Sequence, residues 1–171
     1  QKIYDNYFQE IFNASYNILQ SYSVGRLSAN TEISLWLEQD CIKNVSTDIQ
    51  NMMYGNNIIE ECILIINHKD LGISSTGSTD TKSIYDIYFK EYYQNMNDWK
   101  RDMINVQGKK LCLLKDKSGN PVLYMVYGIQ WLNSEQTVMV KINSRVMNAY
   151  LKNSGESNEE YYITDFDNNE I

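Results

Sequence analysis

The sequence predicts an α+β fold in which long N-terminal helices pack on a central antiparallel sheet of about five strands. Apolar residues recur at three- and four-residue spacing over the first third of the chain, as they do in amphipathic helices. They recur at every second position between Pro121 and Asn143, as they do in pleated strands. Hairpin turns connect most of the strand segments, and such turns can join only antiparallel neighbours.

Two long helices are expected before the first strand. Residues 2–23 carry a wide aromatic stripe, and the pattern breaks at 23–25. A second helix is expected over 31–53, with Ser28 or Asn30 as its N-cap residue. Two long helices in succession indicate a stalk that leads into a globular part.

The next segment alternates between strand and helix signals. β-Branched residues favour strands over 58–67 and 73–76. The polar stretch 74–81 is predicted to be a surface loop that ends at a helix cap, Thr79 or Asp80. Helical spacing then continues to about residue 104.

A long hairpin dominates the rest of the chain. The strand 110–114 leads through a turn at 116–120 into two strands joined by a polar turn at 133–135. The first strand is apolar on both faces, which predicts an internal strand covered on each side. One face carries Leu123, Met125, Tyr127, Ile129 and Trp131, and the other carries Val122, Tyr124, Val126 and Gln130. A helix over 145–152, capped by Ser144, and a last strand over 160–166 complete the prediction.

Composition excludes some classes of function. The net charge of −7 and the pI near 4.7 argue against nucleic-acid binding, which needs a basic surface. Cys41, Cys62 and Cys112 have apolar neighbours and form no paired motif, so we expect buried free thiols rather than a disulfide. The longest apolar run, 58–66, is far shorter than the ~20 residues of a membrane span. The chain starts inside a predicted helix and stops inside a predicted hairpin, which indicates a piece of a longer protein.

This order of elements resembles the extracellular Cache domains, the PAS-like sensor modules of bacterial membrane receptors. The resemblance covers nearly the whole chain and is one of pattern: a helical stalk, a first hairpin, an aromatic helical region, a three-strand meander and its helical exit. The segments that carry it are IIEECILIINHKDLGISST, SIYDIYFKEYYQNMNDW, VMVKINSRVMNAYLKN and YYITDFDNNEI. On this comparison residues 1–55 form the stalk and second helix, 56–158 the PAS-like core, and 159–171 the start of a truncated membrane-proximal lobe or final strands.

The resemblance implies a role in signal transduction. In that family the domain lies outside the cell between two transmembrane helices, and ligand occupancy passes through the stalk to a cytoplasmic output. A composition like that of Firmicutes proteins favours a histidine kinase or an AraC-type regulator as that output. The family's amino-acid binders use a Tyr/Arg/Trp/Tyr/Asp set. Here Trp99-Lys100-Arg101 matches it only loosely and Lys141 stands near the position of the Asp, so the resemblance does not support amino-acid recognition.

Aromatic residues provide the best candidates for a ligand site, because apolar walls with a few polar anchors are typical of small-molecule pockets. The candidates are Tyr92, Trp99, Arg101, Tyr124, Tyr127 and Trp131. Each aromatic residue has core packing as its simpler interpretation, and Arg101 has a solvated helix charge. Glu60 and Glu61 are expected on opposite faces of a strand and not as a pair that shares a site, which leaves one of them free to be buried and paired.

No catalytic, metal-binding or cofactor-binding set stands out. The single histidine, His68, is interpreted as a turn residue, and no glycine-rich phosphate loop is present. The first hypothesis is therefore a non-enzymatic extracellular sensor of an unknown small molecule. The alternative is a structural or dimerisation module of a cell-surface protein, which would pair through the N-terminal helix.

Overall fold

A computed structural model describes residues 2–131 and 134–146, and the side chains of 7–130 and 134–146. It confirms the α+β class. Within the described residues one antiparallel sheet has six strands in the order β3-β2-β1-β6-β5-β4. The expected helix over 145–152 is seen only at its start, residues 144–146, and the expected strand over 160–166 lies outside the described residues.

The helices form two groups along the chain. Three precede the sheet: α1 (Lys2–Leu19), α2 (Tyr22–Ser28) and α3 (Leu35–Gly55). Two more lie between strands, and each changes to a wider π-helical turn: α4 (Thr81–Ile84) continues through Tyr85–Phe89, and α5 (Met96–Trp99) continues through Lys100–Ile104.

Each strand pairs with its sheet neighbours by antiparallel hydrogen bonding. The strands are β1 (Ile59–Ile66), β2 (Leu71–Ser74), β3 (Gly77–Thr79), β4 (Gly108–Lys115), β5 (Pro121–Trp131) and β6 (Ser134–Ile142). A short 3₁₀ turn at Asn67–Lys69 links β1 to β2 and ends at Asp70, whose left-handed backbone (φ 50°) makes the tight turn.

The sheet is covered on both faces, as predicted for an internal strand. α1, α2 and α3 pack on one face, here called the helix face, against Leu123, Met125 and Val138. α4, α5 and their π turns pack on the other, here called the loop face, against Tyr124 and Val126. The division of β5 residues between the two faces matches the period-two prediction.

The helical boundaries differ from the prediction. The first helix stops at Leu19 instead of residue 23, because the Ser21 hydroxyl accepts a hydrogen bond from the Val24 amide and starts α2. α2 then continues through Gly25, where a break was expected. α3 begins at Leu35 under a cap by Ser34, so neither Ser28 nor Asn30 is its N-cap.

Two expected loops contain strand residues. The stretch 74–81 includes β3, which adds a strand at the sheet edge. Ser134 and Glu135, expected in a turn, belong to β6 and pair with Trp131 and Gln130.

The predicted cap of α4 is confirmed, and the predicted cap of the last helix is wrong. Asp80 caps α4 by accepting a hydrogen bond from the Ser83 amide. The last described helix is capped by Asn143, not by Ser144, since the Asn143 side chain accepts from the amides of Arg145 and Val146.

All three cysteines are buried and unpaired, as expected. They lie on α3, β1 and β4. Burial raises the pKa of the Cys62 and Cys112 thiols, which keeps them protonated and unreactive at neutral pH. Among the described helices none is both long and apolar enough to cross a lipid bilayer.

Close packing over β5 gives a test of the fold. A Cβ added at Gly128 would overlap the carbonyl of Val106, whereas one added at Gly25 in α2 would meet nothing within 4 Å. Gly128→Ala should therefore lower the free energy of unfolding by about 1–3 kcal/mol or more through overpacking. Gly25→Ala should raise it by about 0.5–1 kcal/mol by restricting the unfolded chain.

Urea denaturation of the two variants measures both changes. Equal stability of the Gly128→Ala variant and the wild type would contradict the close approach of the Val106 carbonyl to Gly128.

Candidate functional site

The structure divides the six candidate residues between different environments. Tyr92, Trp99 and Tyr124 lie on the loop face, whereas Tyr127 lies on the helix face. Trp131 is the last residue of β5, and its side chain lies outside the described residues. The candidates therefore do not line one common pocket.

Trp99 and Tyr124 are core residues of the loop face. Trp99 is fully buried and stacks on Phe89 with 5.1 Å between ring centroids, while Tyr85 packs on it at 5.5 Å. Phe89 also contacts the ring of Tyr124, at 5.2 Å. These aromatic contacts make the centre of the loop face a packed core.

Tyr127 and Arg101 have other partners. Tyr127 contacts Phe12 and Tyr16 of α1, with 6.3 and 6.2 Å between ring centroids, and so joins the first helix to the sheet. Arg101 is exposed and forms ion pairs with Asp98 and Asp102 at 2.8 and 2.9 Å. Its solvated-charge interpretation fits this geometry better than a role as a ligand anchor.

A cluster of polar groups lies at the rim of the loop face where β1, β6 and β5 run side by side. Glu61, Lys141 and Tyr124 are successive cross-strand partners in this row. Glu60 forms an ion pair with Lys141 at 2.7 Å. The ring of Tyr92 meets Tyr124 edge-on at 6.2 Å. These five residues are here called the polar corner.

An irregularity in β1 creates this arrangement. The pairing between β1 and β6 shifts between Ile59 and Glu61, so Glu60 is an extra residue without a cross-strand partner. Glu60 nonetheless reaches the ammonium of Lys141, the cross-strand partner of Glu61. The prediction that the two glutamates serve opposite faces assumed a regular strand and is wrong for this reason.

Glu61 has an unusual environment for a carboxylate. One of its oxygens, Oε1, is shielded from solvent and has no hydrogen-bond partner in the described structure. Burial raises the pKa of Glu61, against the lowering effects of a backbone hydrogen bond at Cys62 and of the Lys141 charge; the charge of Glu60 raises it further. A buried acceptor lowers the stability of the folded protein unless a hydrogen-bond donor pairs with it.

The surroundings of Glu61 are acidic. Burial raises the pKa of Tyr124, and the neighbouring Tyr92, Glu60, Glu61 and Glu91 raise it further. Burial likewise raises the pKa of Tyr92 above its usual range, so both phenols stay neutral. Glu60 pairs with the Lys141 ammonium, and Glu61 and Glu91 add negative charge near Tyr124. The unpaired oxygen of Glu61 is an acceptor suited to a cationic donor.

Comparison with known proteins shows which known fold this chain shares. No protein-family model and no curated protein matches this sequence. One solved structure it resembles is the sensory domain of the Campylobacter jejuni chemoreceptor Tlp3 (CcmL) with isoleucine bound, with a TM-score of 0.58 and 13% sequence identity. The match covers 90% of this chain and 57% of that one, so this chain spans little more than half of the other domain. The chain thus has the fold of a chemoreceptor sensory domain.

The half-buried carboxylate of Glu61 predicts a pH-dependent effect on stability. Because its pKa is raised by folding, the native state favours the protonated form, and stability falls as pH rises from the unfolded pKa through the folded one. Glu61→Gln removes this loss. The melting temperature of Glu61→Gln minus that of the wild type should therefore become larger as the pH rises from acidic to neutral.

The matched control is Glu10→Gln, an exposed residue in the middle of α1. Melting temperatures of the three proteins across this pH range measure the effect. A constant difference between Glu61→Gln and wild type would contradict the partial burial of the Glu61 carboxylate.

Proposed function

We propose that this chain is the extracellular ligand-sensing domain of a bacterial membrane receptor. The fold it shares with a chemoreceptor sensory domain supports the sensing role. The acidic charge of −7, unsuited to nucleic acid, agrees with it. The receptor's cytoplasmic output is proposed to be a histidine kinase or an AraC-type regulator. The resemblance to Cache domains and the Firmicutes-like composition support this proposal.

The ligand site is proposed to be the polar corner. The observation that carries this assignment is the shielded, unpaired Oε1 of Glu61, which lies in one cluster with the buried Tyr124 and the exposed Glu60. An incoming N–H group would satisfy that oxygen, and the excess of carboxylates favours a positive charge on it. The ligand class is therefore a small molecule that carries a protonated amine.

Signal transfer follows from the connections of the sheet. Tyr124 of the polar corner and Tyr127, which contacts α1, are three residues apart on β5 and project from opposite faces. A ligand that shifts β5 would therefore move the contact between Tyr127 and the stalk helix. Such a shift can bias a two-state receptor only if the ligand binds its two states with different affinity.

A thermal-shift screen tests this function. Small primary amines, diamines and amino acids should include compounds that raise the melting temperature. At a ligand concentration of a hundred times the dissociation constant, the native state gains about 2.7 kcal/mol of stability. Glu61→Gln should abolish the shift and Glu10→Gln should retain it. A flat screen on folded protein, or a shift that survives Glu61→Gln, would contradict the assignment of the polar corner.

Exposed aromatic residues on the helices favour a second candidate, a dimerisation module that binds no ligand. Tyr16 on α1, Tyr22 on α2 and Trp36 on α3 are 47%, 74% and 76% exposed. Aromatic side chains are enriched in protein–protein interfaces, and the homodimer through the N-terminal helix remains a proposal on that basis.

Sedimentation equilibrium separates the two candidates. Pairing through the first helix predicts a dimer that Tyr16→Gln weakens by about tenfold or more. Trp36→Gln, on a different helix, is the control. A wild-type chain that stays monomeric at all concentrations would exclude this candidate. A dimer would be compatible with both candidates, and the ligand screen then distinguishes them.

A further inference from the structure

A cavity of about 500 Å³ lies on the side of the sheet opposite to the polar corner, where α2 meets β6. Its volume falls within the ~300–1,000 Å³ range of small-molecule sites. Leu19, Tyr22 and Ala29 contribute apolar wall, and Gly25 leaves room because it has no side chain. The proposed sensing function makes no use of this cavity.

Three polar atoms in the cavity wall are buried and lack hydrogen-bond partners. They are Nε of Arg26, Oγ of Ser28 and Oε1 of Gln136. Gln136 is 2% exposed, although its cross-strand partners on the two neighbouring strands are Ile66 and Ile129. Unpaired buried polar atoms are rare in native proteins, and three around one cavity make it suited to a polar occupant.

The chemistry of these atoms defines that occupant. No carboxylate of the described residues pairs with the Arg26 guanidinium, which is a natural partner for a ligand carboxylate. The carbonyl of Gln136 accepts a hydrogen bond, and the hydroxyl of Ser28 can donate or accept one. The apolar wall leaves room for a hydrocarbon body.

We propose that this cavity is a second ligand site, which binds a small organic acid with an apolar body and one hydroxyl or N–H donor. Arg26 binds the carboxylate, Ser28 assists it, and Gln136 accepts the donor. The site is chemically opposite to the polar corner, which selects a cation.

Occupancy of this site would affect the stalk. Leu19, Gln20 and Ser21, which end α1 and cap α2, line the same cavity as Gln136 of the sheet. A ligand there contacts both layers at once and so fixes the junction of α1 and α2 against β6. The organic acid would therefore act on the same helix that is proposed to carry the signal.

Isothermal titration calorimetry on the 171-residue chain tests the proposal. The probes are 4-hydroxyphenylacetate, 2-hydroxyisocaproate and phenylacetate, with 4-hydroxyphenylacetamide as the uncharged match for the first. At least one hydroxy acid should bind at about 1 mM or tighter, and more tightly than the amide or phenylacetate. Arg26→Met should weaken that binding by about tenfold or more, and Ser28→Ala by less.

A second readout separates a binding role from a structural one. Because the three atoms have no partners in the protein, Arg26→Met and Gln136→Met should leave the melting temperature of the free chain unchanged or raised. A structural role predicts a lower melting temperature instead. Arg101→Met, which removes an exposed arginine from the other side of the sheet, is the control that should bind like wild type.

Several results would overturn the proposal: no acid binds at about 1 mM, the amide binds as well as the acid, or Arg26→Met binds like wild type. Glu61→Gln separates this site from the polar corner, since it should abolish the response to amines and leave the response to acids intact. If Glu61→Gln lost the response to acids as well as the response to amines, the proposal of two independent sites would also be refuted.

Discussion

The structure depends on strands that are apolar on both faces. Ile63 and Ile65 of β1 are fully buried on the loop face, and Cys62 and Leu64 are fully buried on the helix face. Such strands cannot remain beside water on either side, because burial of apolar surface is the main favourable contribution to folding. The segments before and between the strands must therefore provide two separate layers, and α1–α3 and α4–α5 are those layers.

Two groups of polar residues in this sandwich carry the proposed sites. Glu61 and Lys141 lie at the rim of the loop face, next to the irregularity that adds Glu60 to β1. Gln136 lies under the junction of α1 and α2, where the helix layer leaves a cavity. Both places retain buried acceptors without protein partners. The domain thus has two chemically different places with unpaired buried acceptors, one on each side of its sheet.

The faces of β5 could be predicted from the sequence because successive side chains of a regular strand point to opposite sides. The α+β class could be predicted from the two periodicities. The sequence patterns missed the break between α1 and α2, since the Ser21 cap competes with helix continuation through a single hydrogen bond. The site residues were chosen by residue type, yet Tyr124 and Tyr127 are an odd number of positions apart and lie on opposite faces. The row of Glu61, Lys141 and Tyr124 depends on strand register across distant segments, which no local pattern encodes.

Backbone amide NMR of the 171-residue chain tests the central claim, that the rim of the loop face binds a cationic small molecule. Titration with the amines that stabilise the chain should shift resonances of Glu60, Glu61, Tyr92 and Tyr124 and of their neighbours on β1 and β5. A smaller response should follow around Tyr127, where the sheet contacts α1. Shifts confined to exposed carboxylates elsewhere, such as Glu10 or Glu38, would contradict the account.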